Sequence, residues 1–218
     1  MKALRIYLVI GILCVVFIAC QSGKPGEQNT GHTVYQLSSI EKSRLKEGDI
    51  ILRQGYGFVS NSIVKLLSED IPLSHVGIIV NNERQEFSVI HSLSQRVSDK
   101  DGIQQESLEM FVRNSRPGSL VVVRYKPAAS NTQLQQSISF SATSYLEQNI
   151  PFDYGFDLDD ASKFYCSELV ARVLSDVFGQ KVFDSMYPDE KTIMEKLRFE
   201  IFLNPRFFEV IINHQTAV

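Results

Sequence analysis

The alternation of apolar and polar residues along the chain predicts a mixture of strands and helices. Short apolar runs bounded by glycine or polar residues indicate strands in GDIILRQG (residues 49–53), SHVGIIV, FSVIHSL and SLVVVRY. Helical spacing indicates helices in FVSNSIVKLLS, ESLEMFVRN and NTQLQQSISFSATSYLEQN, the last with capping-box spacing at Thr132 and Gln135. YPDEKTIMEKL is a further predicted helix and RFEIFLN a further strand. The pattern predicts one α+β domain over residues 35–218 with a mostly antiparallel sheet.

The N-terminus has the composition of a bacterial export signal. Lys2 and Arg5 precede an apolar stretch at residues 6–19, which is short for a membrane span. The stretch ends in a sequence similar to a lipobox. We therefore expect residues 1–19 to be a lipoprotein signal peptide, Cys20 to carry the lipid, and residues 20–34 to be a flexible tether. A plain signal peptide or an uncleaved anchor is the alternative. The expected location is a membrane of the bacterial cell envelope, on its periplasmic or surface face.

Composition and charge narrow the range of partners. The 218 residues are 44% hydrophobic and 22% charged, with a net charge of −3. These values are typical of a globular domain and disfavour nucleic acid as a partner. In the loop DYGFDLDD, Asp157 and Asp159 start an EF-hand spacing that ends at Glu168, but Ala161 and Ser162 occupy its positions for a ligand and a glycine. We therefore expect no metal ion and no cofactor, and expect these acidic residues to cap the next helix.

Cys166 stands at the head of an apolar helix pattern in KFYCSELVARVL. The stripe behind it consists of Leu169, Val170, Val173, Leu174, Val177 and Phe178. A helix that begins near Ser162 would place Cys166 near its first turn, where unpaired backbone N–H groups favour a thiolate. Once Cys14 leaves with the signal and Cys20 is lipidated, Cys166 is the remaining thiol of the mature chain. From the residues alone, a nucleophile and a buried core thiol both stay open.

Two of the four histidines lie in neighbouring predicted strands, where one could act as a base for Cys166. His75 shares a face of SHVGIIV with Gly77, and His91 lies in FSVIHSL. With an odd-numbered hairpin loop, His75 opposes His91, Gly77 opposes Val89, and both imidazoles point to one side. An even loop would separate them, and two unrelated histidines are the alternative. We expect Gly77 to leave room for the Cys166 helix on this face.

Four segments in this order resemble the permuted papain-like cysteine peptidases and amidases of the YiiX/YaeF-like group: LKEGDIILRQG, SHVGIIV, VIHS and PFDYGFDLDDASKFYCSELV. That group is related to the NlpC-type cell-wall peptidases and, more distantly, to lecithin:retinol acyltransferase. The resemblance covers about residues 45–174. It implies a circularly permuted papain-like α+β fold, in which a mostly antiparallel sheet packs against the helix that carries the cysteine. It also implies that Cys166 is the nucleophile, that His75 is the base, and that His91 takes the place of a third, often acidic, residue.

The resemblance predicts an exported cysteine hydrolase that cleaves an amide bond in a cell-wall peptide or a small acyl-amino compound through an acyl-enzyme. We expect Tyr154, Phe156 and Tyr165 to bind substrate and the backbone N–H of Cys166 to help hold the oxyanion. Two alternatives stay open: lipid acyl transfer or phospholipase activity on the same fold, and a non-catalytic binding module. A Cys166 thiol with a pKa at or above about 8.5 would favour the binding module.

Overall fold

The computed structural model describes residues 35–186 and 198–215. The predicted signal peptide, Cys20, the tether and the predicted helix YPDEKTIMEKL lie outside these residues. Within the two described ranges, no helix combines the length and the apolar character needed to cross a membrane. The described chain combines an antiparallel sheet with helices, which confirms the predicted α+β class.

Six strands of the described chain form one antiparallel sheet in the order β4-β3-β2-β1-β5-β6. The strands are β1 (Ile50–Arg53), β2 (His75–Asn81), β3 (Phe87–Leu93), β4 (Gly102–Ser107), β5 (Val121–Tyr125) and β6 (Phe208–Asn213). Every residue of β1 and β5 is buried, so both faces of the sheet are covered at its centre. β4 and β6 were not predicted, because β4 is largely polar and β6 follows a segment of mixed pattern. The predicted strand RFEIFLN is wrong: it forms a short 3₁₀ turn at Glu200–Leu203.

The helices mostly connect or cover the strands. They are α1 (Ser39–Arg44), α2 (Gly57–Leu67), α3 (Leu108–Arg113), α4 (Thr132–Glu147), α5 (Cys166–Phe178) and α6 (Gln180–Met186), with a 3₁₀ turn at Lys126–Ala128. The predicted capping box of α4 is wrong. Asn131, one residue earlier than Thr132, is the N-cap and accepts the N–H of Leu134 at 3.1 Å. The side chain of Gln135 instead donates to the carbonyl of Ala128 at 2.9 Å.

Two hydrophobic cores lie on opposite faces of the sheet. On one face, alternate residues of β2 that include Val76 pack with Leu169 and Val170 of α5 and with α4. On the other face, Ile79 of β2 packs with Phe111 of α3 and with residues near α1. Because side chains alternate along a strand, the residues of β2 that share the parity of Ile79 point away from α5. The helix that carries Cys166 therefore packs against the sheet, as predicted. It covers the face opposite to the one that was predicted, on which Gly77 lies.

A buried ion pair fixes the start of β1 against β5. Asp49 is fully buried, and Arg124 donates to its two carboxylate oxygens at 2.7 and 2.8 Å. The backbone N–H of Lys46 also donates to Asp49 at 2.8 Å, and Arg124 reaches the carbonyl of Arg44 at 3.0 Å. This bidentate geometry pairs the two opposite charges directly. It holds in place the strand that presents Arg53 at its other end.

Candidate active site

Cys166 is the first residue of α5. The N-cap residue, Tyr165, makes no side-chain capping bond, so the backbone N–H groups of the first turn remain without a side-chain cap. The predicted helix start near Ser162 is wrong, because Asp160 accepts the N–H of Ser162 at 3.0 Å and holds this segment in a turn. The later start places Cys166 closer to the helix terminus than the sequence indicated.

The sulfur of Cys166 lies beside the start of β2. The backbone N–H groups of Val76, Ser167 and Cys166 itself and the guanidinium of Arg53 each act to lower the pKa of the thiol. All four favour the thiolate. Desolvation by burial is the larger effect, however, and it raises the pKa of Cys166 to about 11. The resting thiol is therefore protonated at neutral pH, and any attack by its sulfur needs a base to take the proton.

His75 and His91 form a buried, hydrogen-bonded imidazole pair. Nε2 of His75 lies 2.7 Å from Nδ1 of His91, and the side chains are only 5% and 1% exposed. The ring of Phe111 packs beside both imidazoles, with centroids 5.8 and 5.7 Å away. His75 directly precedes Val76, whose backbone N–H lowers the pKa of Cys166, so the thiol lies near the end of β2 that begins with His75.

The register of the β2–β3 hairpin differs from the predicted register by two residues. Ile79 pairs with Val89, which places Gly77 opposite His91 and His75 nearer the end of the strand. The predicted direct opposition of His75 and His91 is therefore wrong. A shift of two residues keeps every side chain on its face, so the two imidazoles still point to one side and meet diagonally.

Gly77 leaves room for the imidazole pair. A Cβ atom at this position would lie 2.6 Å from Cγ1 of Val89, 3.0 Å from the carbonyl oxygen of Ile90 and 3.1 Å from Cβ of His91. The prediction that this space admits the Cys166 helix is wrong, because α5 packs against the other face of the sheet. The space is occupied by β3, and it lets the side chain of His91 lie over the β2 backbone.

Burial keeps both imidazoles neutral. Desolvation is the largest cause that lowers the pKa of His75 well below its usual value, with further contributions from His91 and Arg53. Desolvation and Arg53 lower the pKa of His91 to about 3. Burial lowers the pKa of Arg53 only to about 10, so its guanidinium stays charged. At neutral pH the site therefore combines a thiol, two neutral imidazoles and one guanidinium.

Arg53 is a site residue that the sequence analysis missed. It ends β1 directly opposite His75, and its side chain is buried. Nη1 donates to the carbonyl of Phe111 at 2.7 Å, and the guanidinium carbon lies 4.0 Å above the centre of the Phe111 ring. An arginine at the end of an apolar strand gave no signal of burial, because most arginines are exposed.

Glu106 is the second missed residue. Its Oε1 lies 3.5 Å from Nε2 of His91 and 3.7 Å from Nη2 of Arg53. The sequence analysis placed Glu106 in the helix ESLEMFVRN, but β4 continues to Ser107, which caps α3 by accepting the N–H of Met110 at 3.2 Å. A serine directly before an apolar helical pattern is a signal of an N-cap. This signal would have started the helix after Ser107 and left Glu106 in the strand.

The aromatic residues predicted to bind substrate form a connected cluster that ends at Cys166. The ring of Phe156 lies 5.4 Å from that of Tyr165 and 6.3 Å from that of Phe152, which lies 5.1 Å from Tyr154. Tyr165 is 2% exposed and supports the cluster from inside, whereas Tyr154 is 46% exposed. The cluster places apolar surface in the segment that leads to the thiol.

The acidic loop before α5 binds its own backbone. Asp153 is buried and accepts the N–H groups of Gly155 at 2.8 Å and Asp157 at 2.6 Å. Tyr165, and none of these acidic residues, is the N-cap of α5, and its own side chain makes no capping bond. The backbone N–H of Tyr165 acts to lower the pKa of Glu168, for which a capping role stays a prediction. Glu168 pairs with Arg172 at 3.1 Å, while desolvation raises the pKa of Glu168 to about 8. Residues 35–186 and 198–215 contain no group of three or more His, Cys, Asp or Glu side chains placed to hold a metal ion.

A thiol at a helix N-terminus, near the end of an antiparallel strand that begins with a histidine, is the arrangement that the papain-like resemblance implies. Comparison with known families supports this class. A family model described as permuted papain-like amidase enzyme, YaeF/YiiX, matches residues 44–197, and the chain belongs to this family. The matched region contains Cys166, His75 and His91. Family membership confirms the predicted fold and supports an amidase or peptidase role.

One solved structure shows the same fold. The crystal structure of metalloprotein yiiX from Escherichia coli O157:H7 has a TM-score of 0.52 and 21% sequence identity, and the alignment covers 78% of this chain and 89% of that chain. At this identity the likeness concerns the fold alone. No curated protein matches the chain.

Proposed function

We propose that the protein is an exported, lipid-anchored cysteine hydrolase that cleaves an amide bond in a cell-wall peptide or a small acyl-amino compound. The observation that carries this proposal is the Cys166 thiol at the start of α5, near the end of β2 that begins with His75 of the buried His75–His91 pair. The amidase family to which the chain belongs supports the reaction type. The substrate class rests on family analogy.

The proposed reaction passes through a thioester. The sulfur of Cys166 attacks the carbonyl carbon while Nδ1 of His75 takes the thiol proton. His91 orients His75 through the 2.7 Å hydrogen bond. His75 then donates the proton to the leaving amine, and the C–N bond breaks. A water molecule, deprotonated by His75, attacks the thioester and releases the carboxylic acid and the free thiol.

The start of α5 suits the charged intermediate of this reaction. The backbone N–H of Cys166 is one of the unpaired donors of the first turn and can stabilise an oxyanion on the substrate. Because the resting thiol and imidazoles are neutral, proton transfer accompanies attack instead of preceding it. The pKa of about 11 for Cys166 lies above the value of about 8.5 expected to favour a non-catalytic binding module, so the resting thiol does not itself favour the hydrolase. Turnover, and not resting reactivity, therefore separates the two functions.

The test uses the full-length protein in detergent with three sets of probes: muropeptides, N-acyl amino acid amides and phospholipids, each followed by mass spectrometry. We expect cleavage of an amide that is lost in Cys166→Ala and His75→Ala. His214→Gln is the matched control, because His214 binds Tyr35 and Glu41 outside the imidazole pair. Products from phospholipid alone would replace the proposal with lipid acyl chemistry. Absence of turnover on all three sets would leave the binding module.

The lipid anchor is tested separately. Lys2, Arg5, the apolar stretch and Cys20 support lipidation. In bacteria grown with a clickable palmitate analogue, the wild-type protein should be labelled and found with membranes, and Cys20→Ala should be neither. Equal labelling of both proteins, or labelling of neither, would contradict the anchor without bearing on the hydrolase.

A further inference from the structure

A line of buried polar groups continues from His75 through His91 to a carboxylate. Nε2 of His75 lies 2.7 Å from Nδ1 of His91, and Nε2 of His91 lies 3.5 Å from Oε1 of Glu106. The pairing of β3 with β4 places Gln104 opposite His91, so Glu106, two residues further on, shares the face of the imidazoles. Nε2 of His91 is fully buried and makes no hydrogen bond within the described chain. The carboxylate oxygen is the acceptor that faces it.

The chemistry of these groups allows one arrangement of protons. A neutral imidazole has one N–H donor and one lone-pair acceptor, and an ionised carboxylate only accepts. With Glu106 ionised, Nε2 of His91 carries its proton and Nδ1 accepts. Nε2 of His75 must then donate to that Nδ1, which leaves the lone pair of His75 on its other nitrogen, Nδ1. In the opposite arrangement, Nδ1 of His75 would carry a hydrogen and could not take a proton from the thiol.

We propose that Glu106 is a positioning residue that fixes the tautomers of His91 and His75 in series, so that Nδ1 of His75 is free to act as the base. The inference rests on the proposed function, because it specifies how His75 receives the proton of Cys166. It supplies the fixed negative charge that a histidine in the third position lacks. The imidazolium that forms during attack is stabilised by this charge through His91.

Arg53 favours the ionised form of Glu106. Desolvation raises the pKa of Glu106, and the guanidinium of Arg53, 3.7 Å from Oε1, opposes this shift. Nδ2 of Asn114 donates to the other oxygen, Oε2, at 3.4 Å. Oε1 therefore faces two donors, Arg53 and His91. A glutamine at this position can place its carbonyl oxygen at Oε1, which preserves the acceptor that faces His91 and removes the charge. Its amide group would lie toward Asn114, whose side chain would turn to present its oxygen as the acceptor.

The tautomers are measured directly by ¹⁵N–¹H correlation spectra of histidine-labelled protein at pH 7, with the signals assigned from single-histidine variants. We expect protonated Nε2 and unprotonated Nδ1 in both His75 and His91. In Glu106→Leu we expect His91 to lose this preference, while Glu106→Gln retains it. Protonated Nδ1 in His75 of the wild-type protein would overturn the inference.

Kinetics with the amide substrate separate the charge from the acceptor. Glu106→Gln should lower kcat by about tenfold, and Glu106→Leu by about 10²- to 10⁴-fold, the upper bound being the cost of a wrong tautomer in a serine-protease triad. KM should change less than about threefold, because substrate binding is not altered. Glu109→Leu is the matched control, since Glu109 pairs with Lys42 at the surface at 2.8 Å, and it should retain wild-type kcat.

The tautomer spectra and the kcat values can contradict this inference while the proposed function holds, and the reverse is also possible. Wild-type kcat in Glu106→Leu, or loss of kcat with unchanged tautomers, would overturn the inference. If Glu106→Leu does not fold, the wild-type spectrum and the kcat of Glu106→Gln still decide. The expected tautomers in a protein that cleaves no amide would support the relay and remove the hydrolase. An active amidase in which Nδ1 of His75 is protonated would support the hydrolase and overturn the relay.

Discussion

Substitution of Gly77 by alanine tests the register that brings the two imidazoles together. The new Cβ would lie 2.6 Å from Cγ1 of Val89, about 0.8 Å inside the 3.4 Å at which ordinary contacts begin, and 3.0 Å from the backbone carbonyl of Ile90. Overpacking of this kind costs about 1–3 kcal/mol, and the lower chain entropy of alanine returns about 0.4–1 kcal/mol. We expect a net loss on the order of 1–2 kcal/mol, and a Tm lower by about 2–8 °C for a domain of this size.

The assay is thermal unfolding by circular dichroism together with kcat on the amide substrate. Gly55→Ala is the matched control, because its Cβ would meet its nearest neighbour, the hydroxyl of Ser60, at an ordinary 3.5 Å. Its Tm should be unchanged or slightly higher. Removing Cγ1 in Val89→Ala should partly rescue Gly77→Ala, with a coupling energy of about 0.5–1.5 kcal/mol. A Gly77→Ala protein with wild-type Tm and kcat, or a cycle without coupling, would refute the assignment of Gly77 opposite His91.

Two further predictions concern buried ionisable groups, the Cys166 thiol and the Asp49–Arg124 ion pair. With a pKa of about 11, resting Cys166 should react with iodoacetamide at pH 7 at least about a hundredfold more slowly than free cysteine. The rate should rise about tenfold per pH unit, and a plateau near pH 7 would contradict the neutral thiol. Arg124→Met should cost about 3–5 kcal/mol in urea unfolding, because it leaves Asp49 buried without its partner, whereas Glu209→Gln should cost under about 0.5 kcal/mol. Burial raises the pKa of Asp49, so acidification should protonate its carboxylate and reduce the loss of unfolding free energy in Arg124→Met. A loss that grows at low pH would contradict this prediction.

Much of the fold followed from hydrophobic period alone. The strands that carry His75 and His91 were predicted within one residue of their bounds, because each is an apolar run bounded by polar turns. The prediction that the two imidazoles share one face of the sheet was also correct, because a register shift of two residues leaves every side chain on the same face. The membership of the chain in the permuted papain-like family was indicated by the segments around these strands and Cys166.

The remaining features depend on contacts between distant residues, which local pattern does not encode. The face of the sheet covered by α5 is decided by which of two apolar faces fits its stripe, and both faces of β2 are apolar. Glu106 lies in a polar edge strand that resembles a helix start in sequence. Arg53 is buried because Phe111 and Glu106 bind it, and neither partner is its neighbour in the chain.

The central claim is that Cys166 forms a thioester with the substrate. The most direct measurement is mass spectrometry of the enzyme quenched in acid within milliseconds of mixing with the amide that it cleaves fastest. The account predicts an adduct with the mass of the acyl group on the peptide that contains Cys166, released by hydroxylamine and absent in Cys166→Ser. Turnover without an adduct on that peptide, together with an active Cys166→Ser protein, would contradict it.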